Sequence, residues 1–236
     1  MTGTLINMIT VLIGGTLGLA FGPRLPERVR ATVVASLGLF TLALGMSMFI
    51  QGMGVEGENP LIPLVSLLVG GVLGEWWRVE TRLKGFGAWL EARFVKGTGE
   101  VTEENRFIRG FLSASLLFCV GPMTILGSIQ DGLTGDYQLL AIKSVLDGFA
   151  ALALASTLGV GVLFSVIVVL IYQGGISLMA MQTQSAFTDL MLAEISVVGG
   201  VLLLGVAIST LLEVRSIRIG NLLPALVVAP VLVVLL

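Results

Sequence analysis

Long apolar runs separated by short charged connections constrain this chain more than any single motif. Eight segments qualify, at about 4–22, 31–50, 60–77, 107–129, 138–159, 161–182, 192–212 and 219–236. Each approaches the roughly 20 residues that a helix needs to cross a hydrocarbon core of about 30 Å. Of the 236 residues, 56% are hydrophobic and only 12% charged, whereas about a quarter are charged in a typical soluble domain. With a mean hydropathy of +1.02, the chain has too little polar surface to cover itself in water. The expected fold class is all-α: a polytopic transmembrane helix bundle of about eight spans, some of them broken, forming one integral membrane domain over residues 1–236. The fifth and sixth runs are separated only by "GVG" at 159–161. Seven spans with one long broken helix is the alternative.

Loop charge provides a separate test, because Lys and Arg accumulate on the cytoplasmic side. Arg24, Arg28 and Arg30 follow the first run, and Arg215 and Arg218 follow the seventh. After the third come Arg78, Arg82, Lys84, Arg93, Lys96 and Arg106, with Arg109 just inside the fourth. The alternate connections carry Glu56 and Glu58, Asp131 and Asp136, and Asp189, with Lys143 the lone basic exception. This asymmetry predicts a multi-pass protein of the bacterial inner (plasma) membrane with both termini outside. No Lys or Arg precedes the first run, the reverse of a cleaved signal peptide, so that run is expected to remain as a helix. Residues 78–106 are expected to form a cytoplasmic interfacial segment. Val79, Leu83, Phe86, Leu90 and Phe94 share one helical stripe there, with Trp76, Trp77 and Trp89 nearby.

Composition also excludes several functions. A net charge of −2 and a pI near 5.2 supply no basic stripe for nucleic acid. A single cysteine, Cys119, rules out a disulfide framework or a multi-thiolate metal site. There is no histidine, the commonest metal ligand and the usual neutral-pH acid–base catalyst. No phosphate-binding loop, zinc-protease or nucleophile-elbow motif occurs. The chain is expected not to be an enzyme and to need no cofactor, while any metal is left open. Its expected partners are the lipid bilayer and a small ion or polar solute, and a homo-oligomer is compatible with the sequence.

"LIGGTLG" at 12–18 returns as "LVGGVLG" at 68–74, with a looser third copy, "VVGGVLLLG", at 197–205. Paired glycines let a neighbouring helix approach closely. The first two copies read as an internal repeat of the kind found in transporters, whose repeat interface often holds the substrate.

Polar residues within the apolar runs mark the candidate site. Cys119, Gly121 and Pro122 fall near the middle of the fourth run, and Asp147 near the middle of the fifth. Tyr172 and Gln173 lie at the same depth in the sixth. Pro122 has no N–H and frees the carbonyl of Phe118, which in lipid must find a partner or line a wet cavity. A charge at the bilayer centre costs about 2.5–3.5 kcal/mol on insertion scales, so Asp147 must be protonated, paired or wet. Lys143, four residues earlier, can reach it. Either the pair neutralises itself and serves packing, or Asp147 and Gln173 bind an ion while Lys143 tunes the carboxylate. Asp131 and Asp136 are expected in an outer turn, where they would concentrate cations at a mouth. Asn7 and Glu75 are read as capping or interfacial groups.

Together, "LIGGTLG" with "RLPERVR", "LFCVGPMTILGSIQDGLTGD", "KSVLD", "VVGGVLLL" and "NLLPAL" resemble the YqgA/YdfK-like family of bacterial inner-membrane proteins, a family of unknown function, along nearly the whole chain. The resemblance implies a multi-spanning bacterial membrane protein and carries over no site residues. More distantly, "KSVLDGFAALALASTLGVG" is similar to the aspartate-bearing helix of small manganese exporters, which points toward cation transport. The expected function is a small-solute or ion (cation or proton) transporter or channel with a midplane polar site. The alternative is a non-transporting membrane scaffold or subunit.

Overall fold

The computed structural model describes residues 1–24, 26–94, 101–119, 122–180 and 188–235. Among these the secondary structure is helical, with no strand. Five stretches are long and apolar enough to cross a membrane: Thr2–Phe21, Ala31–Met53, Gln138–Leu158, Gly161–Ala180 and Asp189–Leu211. Two more arise when each of two bent pairs counts as one span. Leu61–Trp77 with Val79–Leu90 bends by 52°, and Arg106–Cys119 with Met123–Leu133 by 73°. The eighth expected run is a shorter apolar helix over Ile219–Leu235, so the described spans number five to seven. At the 159–161 boundary the chain does break. Gly159 has a φ of +80°, open to glycine at no steric cost, and separates two helices that each pass as a span.

The helices are α1 (Thr2–Phe21), α2 (Glu27–Met53), α3 (Leu61–Trp77), α4 (Val79–Phe94), α5 (Val101–Cys119), α6 (Pro122–Leu133) and α7 (Gln138–Leu158). There follow α8 (Gly161–Val169), a π-helical turn at Leu170–Gly174, α9 (Gly175–Ala180), α10 (Asp189–Val206) and α11 (Ala225–Leu235). Pro122 opens α6, a position where its missing N–H has no helical partner to lose. Thr188 caps α10 by accepting a hydrogen bond from the backbone N–H of Met191 at 3.2 Å, and Asp189 complements the helix dipole in the first turn. The chain divides into two compact units. The first comprises Met1–Leu37, Lys84–Cys119 and Met123–Gln184; the second comprises Gly38–Leu83, Val120–Pro122 and Ser185–Leu236.

In the first unit, α1 lies along α7. Gly14 and Gly18 meet the backbone carbonyls of Gly148 and Leu152 in the same order along both chains, so the helices run parallel. A methyl group on Gly14 would stand 2.0 Å from the Gly148 oxygen, and one on Gly18 2.2 Å from the Leu152 oxygen. Only glycine permits this approach. A second seam joins α5 to α8, where Phe107 packs on Phe164 with ring centroids 5.4 Å apart. Leu90 of α4 completes that cluster with Phe107 and Phe111, while Trp89 stays more than half exposed.

In the second unit, Gly45 and Gly52 of α2 meet Gly200 and Val197 of α10, which makes those helices antiparallel. Gly70 and Gly74 of α3 meet Ala225 and Asn221, again antiparallel. The two close copies of the glycine motif therefore each mediate intimate helix packing, but against partners of opposite direction. At one end of this unit Asn221 Oδ1 accepts from the Glu80 backbone N–H at 2.8 Å. Glu80 Oε2 in turn accepts from the Gly220 backbone N–H at 3.1 Å. That reciprocal pair ties the start of α4 to the turn preceding α11, and Arg218 pairs with Glu75 at 2.9 Å beside it.

Candidate functional site

The parallel seam of the first unit brings one face of α1, with Asn7, against the face of α7 that carries Lys143 and Asp147. Gly3, Asn7, Gly14 and Gly18 repeat at helical spacing along the buried side of α1. Asp147 lies one residue from the middle of α7 (138–158). Lys143 Nζ contacts Asp147 Oδ2 as an i,i+4 ion pair, with both side chains buried. The same carboxylate oxygen accepts from Asn7 Nδ2 at 3.0 Å. Asn7 Nδ2 also donates to Gln173 Oε1 at 3.2 Å. Asn7 and Gln173 are fully buried.

Gln173 is held in the π-helical turn Leu170–Gly174. Such a turn widens the helix by one residue and frequently marks a functional position. The network is electrically neutral overall, since the ion pair cancels and two amides bridge it. It is nevertheless incomplete. Asn7 Oδ1, Gln173 Nε2 and the nearby Thr4 Oγ1 are buried without a hydrogen-bond partner. A buried polar atom left unpaired costs about 1–3 kcal/mol, so a free acceptor and a free donor on the two joined amides leave the network short of hydrogen bonds.

The other sequence candidates distribute unevenly. Cys119 is buried at the end of α5, within electrostatic reach of Lys143 and Asp147, and Tyr172 lies within reach of Cys119. Pro122 stands at the start of α6 rather than inside a helix, and the Phe118 carbonyl at the end of α5 accepts from Thr124 Oγ1 at 3.2 Å. Gly121 lies outside the described residues, as do Gln182, Gln184 and Ser185 of the sixth-to-seventh turn. Asp136 is exposed and accepts from the Gln138 backbone N–H at 3.0 Å, the turn chemistry expected of it.

Asp131 departs from the expected outer mouth. It is buried near the end of α6, 2% exposed, and accepts from the Gly3 backbone N–H at 3.1 Å. The Met1 nitrogen is 3.0 Å from its other oxygen. A carboxylate at a helix N-terminus satisfies free N–H groups and complements the dipole, so Asp131 acts as a side-chain cap on α1. Sequence periodicity could not show this, because the cap is supplied from 128 residues away.

Two residues escaped the sequence reading. Asn7 was placed at a helix end, yet it is the hub of the network. Its signal was present, since it shares a face with Gly3, Gly14 and Gly18. The other is Glu194 in the second unit, the sole carboxylate between Leu190 and Leu212. It is fully buried, and neither carboxylate oxygen has a hydrogen-bond partner.

A bundle of apolar helices tied by glycine seams, with an ion pair and two amides buried among them, defines an integral membrane protein. Residues 2–234 match the family described as "Protein of unknown function (DUF554)", and the chain belongs to that family. It is 32% identical over 233 residues to the "Uncharacterized membrane protein YdfK" of Bacillus subtilis (strain 168), covering 99% of this chain and 96% of that protein. It is also 32% identical over 227 residues to the "Uncharacterized protein YqgA" of Escherichia coli (strain K12), covering 96% and 94% respectively. No solved structure matches the chain.

Proposed function

We propose that this protein is a small secondary transporter or channel of the bacterial inner membrane, with the Asn7–Lys143–Asp147–Gln173 network as its binding site. The observation that carries this reading is the pair of unfilled polar atoms, Asn7 Oδ1 and Gln173 Nε2, on amides already joined to a buried ion pair. A small polar solute offering one donor and one acceptor would complete both. A cation or proton would instead bind Asp147 in competition with Lys143, because each new positive charge weakens the hold of the other. No chemical step is proposed. Cys119 lies within electrostatic reach of Lys143 and Asp147, and Tyr172 within reach of Cys119. Loop charge supports an orientation with both termini outside.

The test is flux. Purified protein is reconstituted into proteoliposomes and challenged with a panel of monovalent and divalent cations, protons and small polar solutes. Asp147→Asn should abolish the flux seen with the wild type while the variant remains folded and monodisperse. Unchanged flux in that variant contradicts the site.

The self-neutralising contact between Lys143 and Asp147 favours a second reading, in which the network serves packing in a non-transporting scaffold or subunit. Under that reading the pair stabilises the fold as it does under the first, and no solute of the panel crosses even with the wild type.

A further inference from the structure

The acid of the second unit is placed differently from those of the first. Glu194 sits five residues into α10, about 7–8 Å along the helix from Asp189 at 1.5 Å per residue. Gly52, near the end of α2, packs on Ala193 and Val197, so Glu194 lies level with that end. Beyond it the connection to α3 supplies Glu58 and Asn59. Glu58 is close enough to act on Glu194 electrostatically, and its own Oε1 is buried without a partner. The Asn59 backbone N–H points toward the Glu194 carboxylate without closing a hydrogen bond of normal geometry.

No basic group answers these two carboxylates within the unit. Its Arg78, Arg82, Arg215 and Arg218 lie at the other ends of α3 and α10, where Arg218 pairs with Glu75. That end is about 18 Å away along α10. Of the elements packed on α10, α11 carries no ionisable residue, α3 carries only Glu75, and α2 carries its only charges, Glu27, Arg28 and Arg30, in its first turn at the end opposite Gly52. The α2–α3 connection brings Glu58 and the exposed Glu56, and the start of α10 has the exposed Asp189. All the charges near Glu194 are therefore negative.

An isolated carboxylate buried among apolar side chains does not remain ionised, because burying its charge unpaired costs far more than taking up a proton. The cost is removed by a proton or by a metal ion, and the Asn59 N–H distinguishes them. A donor aimed at the carboxylate opposes a cation in the same place but is compatible with a carboxyl group. Moreover, among the described residues no three His, Cys, Asp or Glu side chains gather as metal ligands.

We infer that Glu194 is a proton-binding site, and that Glu58 is the carboxylate through which its proton exchanges with water at that end of the second unit. The ligand is a single proton on Glu194, with Glu58 as its ionisable neighbour. Glu194 supplies the shielded position, and Glu58, half-exposed in the connection, supplies the wet one. This site is separate from the Asn7–Asp147 network and does not depend on what that network binds.

Dicyclohexylcarbodiimide tests the inference without a transport assay, because it reacts with protonated carboxyl groups in apolar surroundings. The full chain, folded in detergent, is treated between about pH 5 and 9, and the adduct is located by peptide mass spectrometry. Glu194 should be labelled, with labelling falling about tenfold per pH unit above its midpoint, as expected of one exchanging proton. Glu194→Gln should remove the adduct. In Glu58→Gln the midpoint should move to lower pH, since a like charge has been removed. Because the adduct is located in the wild type, a variant that fails to fold leaves the test intact. Absence of a Glu194 adduct in the folded wild type overturns the site, as does labelling that ignores pH throughout that range. Protection by sodium or manganese(II) at constant ionic strength would overturn the proton as occupant in favour of a metal ion. An unmoved midpoint in Glu58→Gln would remove Glu58 from the pathway.

Discussion

The two units bury acidic groups in opposite ways. In the first, Asp147 has Lys143 and Asn7, and Asp131 has the backbone of α1. Both buried carboxylates there are answered within hydrogen-bond distance, and one acceptor and one donor on the two bridging amides are among the polar atoms that remain open. In the second, Glu194 has neither a cation nor a hydrogen bond of its own, and its nearest ionisable neighbour is another carboxylate. An answered charge can stay ionised in an apolar surrounding, whereas an unanswered one takes up a proton. The first unit is thus built to hold a fixed dipole at a polar site, and the second to hold a removable proton.

Removing one partner from each unit should break this comparison most sharply. Lys143→Met strands a buried carboxylate, and breaking a buried pair costs about 3–5 kcal/mol. A large loss of thermal stability is expected, with recovery in Lys143→Met/Asp147→Asn. Glu194→Gln strands no charge and should change the unfolding midpoint little. Equal losses in the two single variants would mean that Glu194 has a charged partner after all.

The glycine seams should respond alike in both units. A leucine at Gly18 or at Gly74 drives side-chain atoms into a backbone carbonyl, the Cβ alone standing 2.2 Å from Leu152 O or 1.8 Å from Asn221 O. Each should lose about 1–3 kcal/mol or more, read as a fall in the yield of monodisperse protein. A smaller effect is expected for Asn7→Ala. It withdraws the donor from Asp147 and Gln173, at about 1–3 kcal/mol, and should lower stability without the collapse seen for Lys143→Met.

The smallest effect belongs to Glu58, which lies outside the spanning helices. Burial holds its carboxyl above the ordinary carboxylate range, so the folded state binds this proton more tightly than the unfolded chain does. The resulting stabilisation is fully present below the unfolded value and is lost as pH rises through the folded one. Glu58→Gln should therefore leave the unfolding temperature unchanged in acid and raise it slightly at neutral pH. A lower unfolding temperature at neutral pH would show that the Glu58 charge is stabilising.

Much of the helical frame was legible because apolar runs of span length can have few other solutions in lipid. Pro122 marked a helix boundary, and the Phe118 carbonyl on its near side accepts from Thr124. The Lys143–Asp147 contact follows from i,i+4 spacing, whereas Gln173 is joined to Asp147 only through Asn7. Depth was what misled. Measured from its own helix end, Asn7 looked peripheral, and α1 and α7 do pack almost flush, Gly3 against Leu140 and Gly14 against Gly148, yet the Asn7 side chain still reaches the Asp147 carboxylate. Which side chains meet across a glycine seam is a property of the pair of helices and is not encoded in either one. Asp131 looked like turn chemistry for a similar reason, since a cap delivered to another helix leaves no local pattern. Glu194 was lost in a strongly apolar run, where one carboxylate hardly changes the average. Its lack of any partner becomes visible only when the neighbours are known.

The contrast between an ionised Asp147 and a protonated Glu194 can be read directly by infrared spectroscopy of the full chain in lipid. The carbonyl stretch of a protonated carboxyl group is resolved from that of a carboxylate and shifts on exchange into heavy water. At neutral pH the wild type should show a buried, protonated carboxyl band that disappears in Glu194→Gln and persists in Asp147→Asn. A band that persists in Glu194→Gln and disappears in Asp147→Asn would place the proton in the first unit and contradict the account.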